Sequence, residues 1–354
     1  MKRKITSLVV LFCVMMLALS GCVVQDVTSV GSINGTRILL GEYKFYLDLA
    51  MNDAYQKMSS EDQQKLVSGD ESVWEEAEIE GKKAGEWVKE EAFNNLVKLK
   101  IENLKASEEG IEVTADDKAV IESYKQSYYQ YYGNADNFRA FLQSKNLTES
   151  DFDKMLTENF ISQKYQNKVK EDITVDEAKV SEIYKNEYIS AKHILISLDS
   201  FREDSEETDG ASEEANEKSD EELYQLALNK AQDVLAQYNS GAVFEDLISQ
   251  YNDDPGQTDE GYVFAEGKMV TEFYEGAKKL QVGEVSEPIK TSFGYHIIKR
   301  YDLPYSGTQY DNAITEIKER LKSEEYEKQL EEWKKDYKIE KNEKEISKVK
   351  LTDR

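Results

Sequence analysis

The 354-residue chain is poor in the residues that build metal sites and covalent cross-links: it contains two histidines, two cysteines and three prolines. Cys13 lies inside an N-terminal apolar run and would be removed with it as a signal peptide, which leaves only Cys22, so no disulfide is expected and packing alone must hold the fold. The two histidines are far apart in the chain and show no metal-ligand spacing. Because the chain also lacks a phosphate-binding loop and a nucleophile motif, we expect no metal and no cofactor.

Basic charge is also scarce. The chain has 45 Lys and Arg residues against 71 Asp and Glu residues, which gives a formal net charge of −26. No stretch offers a sustained basic face to a phosphate backbone, so this composition argues against a nucleic-acid partner. A strongly acidic chain of this kind fits a protein that stays dispersed at high density on a membrane surface.

Long apolar runs are missing except for one near the N-terminus. Three basic residues precede the run "ITSLVVLFCVMMLAL", which is the arrangement of a signal peptide. The run continues into "LSGC", which resembles the lipobox of bacterial lipoproteins. That resemblance implies removal of residues 1–21, a net charge of −29, lipidation of Cys22 and attachment to the extracytoplasmic face of the bacterial cell membrane. An ordinary signal peptide or an uncleaved anchor helix is the alternative.

Hydrophobic periodicity divides the remaining chain into four parts. Residues 22–188 repeat apolar positions at helical spacings, with helix N-caps predicted at Thr114 and Thr148. Residues 189–302 are predicted to form a strand, a loop, two helices, a strand, a helix and two strands. An amphipathic helix is predicted within 303–340, and we expect its apolar stripe to pack back on the N-terminal helices. Residues 341–354 are expected to form a frayed tail.

Residues 199–222 form a hydrophilic stretch inside the strand-containing part. This stretch contains twelve acidic and two basic residues, a net charge of −10. Such a composition cannot support a core, so it predicts a disordered insertion loop.

Both histidines stand in short apolar strands, "AKHILI" and "GYHIIKR". Between them come "FEDLISQYNDDP", "GKMVTEF" and "VGEVSEPIKT", in that order. This ordered set resembles the parvulin family of peptidyl-prolyl cis/trans isomerases over nearly the whole of residues 189–302. Together with the lipobox-like cysteine and the flanking helices, the layout is similar to PrsA-type extracytoplasmic foldase lipoproteins. The resemblance implies an α+β fold, in which a parvulin domain (a small antiparallel sheet flanked by helices) is inserted in an all-α chaperone domain built from N- and C-terminal segments.

The parvulin resemblance also implies two groups of site residues. The residues that match its catalytic network are His193, Asp254, Thr291 and His296. The residues that match its apolar proline pocket are Phe264, Met269 and Phe273. One departure is visible: "DEGYVF" keeps Gly261 and Phe264 of the family's glycine-rich turn but loses the other glycines.

The residues by themselves also allow plainer interpretations. A histidine on an apolar strand is more often a satisfied core residue than a working one. An aspartate before a proline, such as Asp254, is by default a turn residue. Met269 and Phe273 taken alone would be core residues.

The function that the resemblance implies is a membrane-anchored peptidyl-prolyl isomerase and chaperone that assists the folding of exported proteins. Its partners would be unfolded or partly folded exported polypeptides with X-Pro bonds, and a homodimer is left open. The alternative is a non-catalytic holdase chaperone with an idle parvulin domain. Phosphate-dependent parvulins carry basic residues in the loop after the first histidine; the acidic stretch here predicts no preference for phosphorylated substrates.

Overall fold

A computed structural model describes residues 28–202 and 219–351 of the protein. The predicted signal segment with Cys22 lies outside the described residues, as do residues 203–218 of the acidic stretch and the last three residues. Among the helices that the structure describes, none has the length and apolar character needed to cross a membrane.

The chain folds as two compact units. One unit contains the residues up to Ile173 and those from Glu325 onward, and the other contains Thr174–Glu324. The second unit therefore interrupts the first in the sequence, as expected for an insertion. Its boundaries differ from the predicted 189–302, because helix α8 (Glu177–Glu187) and the first part of α12 (Thr308–Lys334) belong to it. Their apolar stripes bury one another in a shared cluster, which the periodicity of each helix alone did not reveal.

The first unit is mainly helical, and two of its helix starts were predicted correctly. Thr114 and Thr148 each accept a backbone N–H bond, from Asp117 and Asp151 respectively, at 3.2 Å. Each aspartate in turn accepts the backbone N–H of its threonine, which completes a reciprocal cap. The helices of this unit before its interruption are α1 (Leu40–Lys57), α2 (Ser60–Val67), α3 (Val73–Glu76), α4 (Ala84–Glu108), α5 (Ala115–Tyr131), α6 (Ala135–Ser144) and α7 (Glu149–Asp172).

A small sheet joins the two ends of the first unit. Its strand order is β2 (Thr36–Leu39), β1 (Ser29–Ile33), β9 (Ile339–Lys341), and both pairings are antiparallel. A separate hairpin pairs β3 (Glu78–Ile79) with β4 (Lys82–Lys83). A side chain on Gly31 would lie 2.5 Å from the carbonyl oxygen of Glu340, so only glycine allows this close approach.

The frayed tail predicted for residues 341–354 is not what the structure shows. Lys341 pairs with Gly31 at the end of β9, and helix α13 (Glu343–Lys348) follows directly. Ile346 and Val349 are buried in the core of the first unit. These apolar positions are too few to stand out in a charged segment, although they suffice to fix a short helix.

The second unit contains the predicted order of strands and helices. Its elements after α8 are β5 (Ile189–Ser197), a short 3₁₀ helix (Asp199–Phe201), α9 (Asp220–Asn239), α10 (Phe244–Tyr251), β6 (Tyr262–Phe264), α11 (Thr271–Lys279), β7 (Ile289–Thr291), β8 (Gly294–Tyr301) and the first part of α12. The predicted loop 199–222 differs at both ends, because the 3₁₀ helix begins at Asp199 and Ser219 caps α9.

The four strands of this unit form an antiparallel sheet in the order β6-β5-β8-β7. Because successive side chains of a strand point to opposite faces, Ile194, Ile196 and Ile297 lie on one face, where α9 and α10 cover them. Ala191 and Ile298 lie on the other face, in a cluster with residues of α11. The fold class predicted for the chain is therefore confirmed, with the three-stranded sheet of the first unit added to it.

Candidate active site

Strand register brings the two histidines together on one face of the sheet. In the β5–β8 pairing, His193 stands opposite Ile298 and His296 stands opposite Leu195, so the histidines are diagonal neighbours. Diagonal positions on adjacent antiparallel strands are within reach of large side chains. The two rings stack with their centroids 5.0 Å apart, and each residue is only 4% exposed.

The buried histidines belong to a continuous chain of hydrogen bonds. His193 Nδ1 lies 2.9 Å from His296 Nδ1, and His193 Nε2 lies 2.9 Å from a carboxylate oxygen of Asp254. At the other end, Thr291 Oγ1 lies 2.9 Å from His296 Nε2. All four ring nitrogens of the two histidines are therefore engaged.

The carboxylate of Asp254 fixes the direction of this chain, because a carboxylate only accepts hydrogen bonds. His193 therefore donates from Nε2 to Asp254. With its proton on Nε2, the His193 ring accepts at Nδ1 from His296 Nδ1–H. His296 Nε2 then accepts from the hydroxyl of Thr291, whose oxygen also accepts the backbone N–H of Phe293 at 3.1 Å. The protons thus all point from Thr291 towards the carboxylate, an assignment that follows from the network.

The loop that carries Asp254 is bound to the edge of β5. Strand β6 pairs with only the first three residues of β5, Ile189 to Ala191. Beyond them, the side-chain amide of Gln257 exchanges two hydrogen bonds with the backbone of His193, and Asn252 accepts from the backbone of Leu195. Loop side chains therefore replace a neighbouring strand and hold Asp254 beside His193.

The surroundings set the charges of the network. The hydrogen bond from His193 is the main reason why the pKa of Asp254 lies well below its usual range; the Gly256 N–H and the Tyr262 hydroxyl add to it against the effect of burial. Burial, followed by the nearby His193, lowers the pKa of His296 to about 3. Burial and the neighbouring carboxylate raise the pKa of Tyr262 above its ordinary value. At neutral pH the site therefore holds an ionised carboxylate and a neutral His296.

Aromatic residues cover the histidine pair. The ring of Phe273 is edge-on to both imidazoles, with centroid distances of 5.1 Å to His193 and 5.3 Å to His296. Phe264 packs against Phe273 at 5.6 Å, and both phenylalanines are buried. Met269 is half-buried and packs on the same cluster. The structure thus brings together all the site residues that the sequence predicted within the described chain.

Two residues of the network were not predicted. Tyr262 donates from its hydroxyl to Asp254 at 2.8 Å, and Gln257 holds the backbone of His193. Tyr262 falls within the turn "DEGYVF" that departs from the family pattern, so that departure was the available signal. Gln257 lies in a polar loop and carries no such signal.

Across the described ranges, no group of three or more histidine, cysteine, aspartate or glutamate side chains is arranged to hold a metal ion.

Comparison with known proteins defines the class of the second unit. The Rotamase family model, described as the PPIC-type PPIase domain, matches residues 193–302. This match spans both histidines, the Asp254 loop and the aromatic cover. The unit is a peptidyl-prolyl isomerase domain of the parvulin type.

Curated relatives extend the similarity along the chain. The foldase protein PrsA 4 of Bacillus cereus is 34% identical over 203 residues, which cover 48% of this chain and 71% of that protein. The foldase protein PrsA of Caldanaerobacter subterraneus subsp. tengcongensis is 28% identical over 290 residues, covering 78% and 80%. The chain belongs to the PrsA foldase family.

A crystal structure of the peptidylprolyl isomerase PrsA from Bacillus cereus aligns with 76% of this chain and 87% of its own, at 23% identity and a TM-score of 0.28.

Proposed function

We propose that the protein is a lipid-anchored peptidyl-prolyl cis/trans isomerase and chaperone that acts on exported polypeptides at the extracytoplasmic face of the membrane. The observation that carries the isomerase part is the hydrogen-bonded chain Thr291–His296–His193–Asp254 beneath an aromatic cover. The anchor and the location are supported by the apolar run and lipobox-like cysteine, which lie outside the described residues, and by the family.

The reaction requires little covalent chemistry. Rotation about an X-Pro bond crosses a barrier of about 18–20 kcal/mol because the amide loses its resonance, and no bond is made or broken. An enzyme accelerates it by binding the twisted amide better than the planar one. The apolar cluster of Phe264, Met269 and Phe273, in which Met269 is the partly exposed member, is the place for the pyrrolidine ring and leaves the carbonyl side free to rotate.

The histidines organise the site and do not act as general bases. Every ring nitrogen of His193 and His296 already has a hydrogen-bond partner inside the protein, so none is free to accept a proton from the substrate. Their role is to hold Asp254 ionised and oriented. A carboxylate near the rotating amide disfavours the planar form, in which the carbonyl oxygen carries more negative charge.

A protease-coupled prolyl-peptide assay on the chain from residue 23 onward tests the isomerase proposal. We expect catalysis by the wild-type chain and a loss of at least tenfold in kcat/KM for His193→Ala, with the fold retained by circular dichroism. A wild-type chain without activity would favour the holdase alternative. Full activity in a folded His193→Ala chain would show that the histidine network is dispensable.

The chaperone part is tested separately. We expect a chain in which residues 174–324 are replaced by a short linker to suppress aggregation of an unfolded model protein, because the first unit has its own core. Failure of this variant to suppress aggregation, in a folded state, would assign client binding to the second unit.

Lipid attachment depends on one side chain. We expect Cys22→Ser to move the protein from the membrane fraction to the released fraction of cells, because each buried methylene of an acyl chain contributes about 0.8 kcal/mol. Retention of the Cys22→Ser chain on the membrane would contradict the lipid anchor and favour an uncleaved anchor helix.

A further inference from the structure

Tyr262 lies at the centre of the site, beside both Asp254 and His193. Its hydroxyl donates to Asp254 Oδ2 at 2.8 Å, and the same oxygen receives His193 Nε2 at 2.9 Å. The other carboxylate oxygen, Oδ1, accepts the backbone N–H of Gly256 at 2.8 Å. Three donors thus hold the carboxylate: His193 from strand β5, Tyr262 from strand β6, and the backbone of Gly256 from the loop itself.

The tyrosine is itself well anchored. Its backbone pairs with Ala191 in the β5–β6 register, so strand β6 fixes the position of its Cα. Its ring stands edge-on to His193 at a centroid distance of 5.8 Å and packs on the same apolar cluster as Phe273. The rigid ring with a hydroxyl at its end therefore connects strand β6 to the loop that carries Asp254.

This connection restricts how the carboxylate of Asp254 can move. Asp254 is followed by Pro255 and Gly256 and is partly exposed, with 21% of its side chain open to solvent. A carboxylate at that exposure can rotate towards water unless each of its oxygens is held. With the Tyr262 hydroxyl in place, Oδ2 cannot leave His193 without breaking two hydrogen bonds.

We propose that Tyr262 is a positioning residue for the isomerase reaction: its hydroxyl locks Asp254 on His193 and thereby sets the direction of the carboxylate that faces the rotating amide. The inference rests on the proposed function for its activity readout. Tyr262 does not need to contact the substrate for this role.

The first experiment removes only the hydroxyl. In Tyr262→Phe we expect kcat to fall at least tenfold, which is the lower end of what one hydrogen bond to a charged group contributes, while KM stays within twofold. Tyr301→Phe is the matched control, because Tyr301 lies in the same sheet and also donates to a carboxylate, that of Glu245, away from the histidines. The control should keep wild-type kcat.

The second readout does not depend on activity. The chain has only two histidines, so ¹⁵N-histidine labelling of the untagged protein gives a spectrum with four ring nitrogens to assign. Without the Tyr262 hydroxyl, Oδ2 can rotate away from His193, so the bond from His193 Nε2–H to Asp254 weakens and its proton signal should move upfield in Tyr262→Phe. Tyr301→Phe should leave that signal in place.

A second variant covers the case in which Tyr262→Phe does not fold. A Cβ on Gly256 would lie 2.9 Å from the Tyr262 hydroxyl and 3.2 Å from Asp254 Oδ1, so Gly256→Ala displaces the hydroxyl while the tyrosine ring remains. We expect Gly256→Ala to lower kcat and shift the His193 signal.

The outcomes separate the two proposals. Unchanged kcat and an unchanged His193 signal in folded Tyr262→Phe would overturn the inference and leave Tyr262 as a packing residue. A lower kcat without any change at His193 would also overturn it, because the effect would not pass through Asp254. If the wild-type chain is inactive, the proposed function fails, whereas the His193 signal still decides whether Tyr262 locks the carboxylate.

Discussion

His296 is kept uncharged by its surroundings. Burial, together with the adjacent His193, lowers its pKa to about 3, whereas a histidine in an unfolded chain titrates near 6.5. Between these two pH values the unfolded chain binds the extra proton and the folded chain does not. Folding stability from this group is therefore complete above pH 6.5 and is lost progressively as the pH falls towards 3.

The lowered pKa of His296 predicts that the free energy of unfolding of the second unit depends on pH. Between pH 6 and 5 we expect the free energy of unfolding of the second unit to fall by up to about 1.4 kcal/mol per pH unit because of His296. In His296→Gln that contribution should be missing. Asp254 does not contribute in this window, because it gains its stabilising effect only above the unfolded aspartate pKa near 3.9 and loses it below.

Urea unfolding of the two chains at pH 7, 6 and 5 measures this difference. All three tryptophans, Trp74, Trp87 and Trp333, lie in the first unit, so the second unit is followed by hydrogen exchange of β5 amides. Thr291→Ser keeps the hydroxyl donor to His296 and should show the wild-type slope. Equal slopes in wild type and His296→Gln would mean that the imidazole is not held neutral.

At the scale of single residues, the sequence predicts that His193 and His296 meet, and it does not predict how the loop that carries Asp254 is bound to the sheet. His193 and His296 sit in strands of clear apolar pattern, so their shared face follows from strand pairing. Asp254 and Thr291 could be predicted only through the family resemblance. Gln257 could not, because it acts through a loop that runs along a strand edge, and this pairing has no periodicity. Tyr262 lies in β6, and only the departure of "DEGYVF" from the family pattern marked it.

At the scale of elements, α12 is one helix with two environments. Its first part packs with α8 in the second unit, and its last turns pack in the first unit. In the first unit, Tyr326 is fully buried and its hydroxyl donates to Glu102 at 2.5 Å. Glu102 is 1% exposed and also accepts from Ser162 and Gln166. This buried carboxylate depends on neutral donors from α7 and α12 for its stability.

Removal of the Tyr326 hydroxyl, the donor that α12 supplies to Glu102, is expected to reduce the stability of the first unit. Tyr326→Phe should lower the free energy of unfolding of the first unit by about 1–3 kcal/mol, because a buried acceptor loses a partner. Trp333, whose ring lies 5.8 Å from that of Tyr326, reports the transition by fluorescence in urea. Tyr337→Phe is the control, since the Tyr337 hydroxyl lies 3.4 Å from Glu108 at the surface. Equal losses in both variants would show that the buried network adds no stability.

The elements also show where periodicity is informative. Long amphipathic helices and the capped starts at Thr114 and Thr148 were predictable, because each carries several agreeing local signals. The division of α12 between two cores was not, because its apolar stripe runs without a break from Ala313 to Leu330. The ordered C-terminus was missed because β9 and α13 owe their order to pairing with β1, at the opposite end of the chain.

For the whole molecule, the dominant property is its acidity. A net charge of −26 repels anionic ligands at long range, and the effect decreases with salt because the screening length is only about 8 Å at physiological ionic strength. Much of this charge is close to the site in sequence: the stretch 199–222 follows the histidine strand β5 and has a net charge of −10. Substrate choice should therefore depend on the charge next to proline.

The resulting prediction concerns phosphorylated peptides. We expect kcat/KM for a pSer-Pro peptide to be lower than for the matching Ser-Pro peptide, because the phosphate carries about −1.5 to −2 charges at pH 7 into an anionic surrounding. A variant in which the eight acidic residues of 203–218 are changed to their amides should bring the two values closer, as should added salt in the wild type. If the ratio of the two kcat/KM values stays unchanged in the amide variant, the selectivity does not arise from the acidic stretch. Faster turnover of the phosphorylated peptide by the wild type would refute the electrostatic argument.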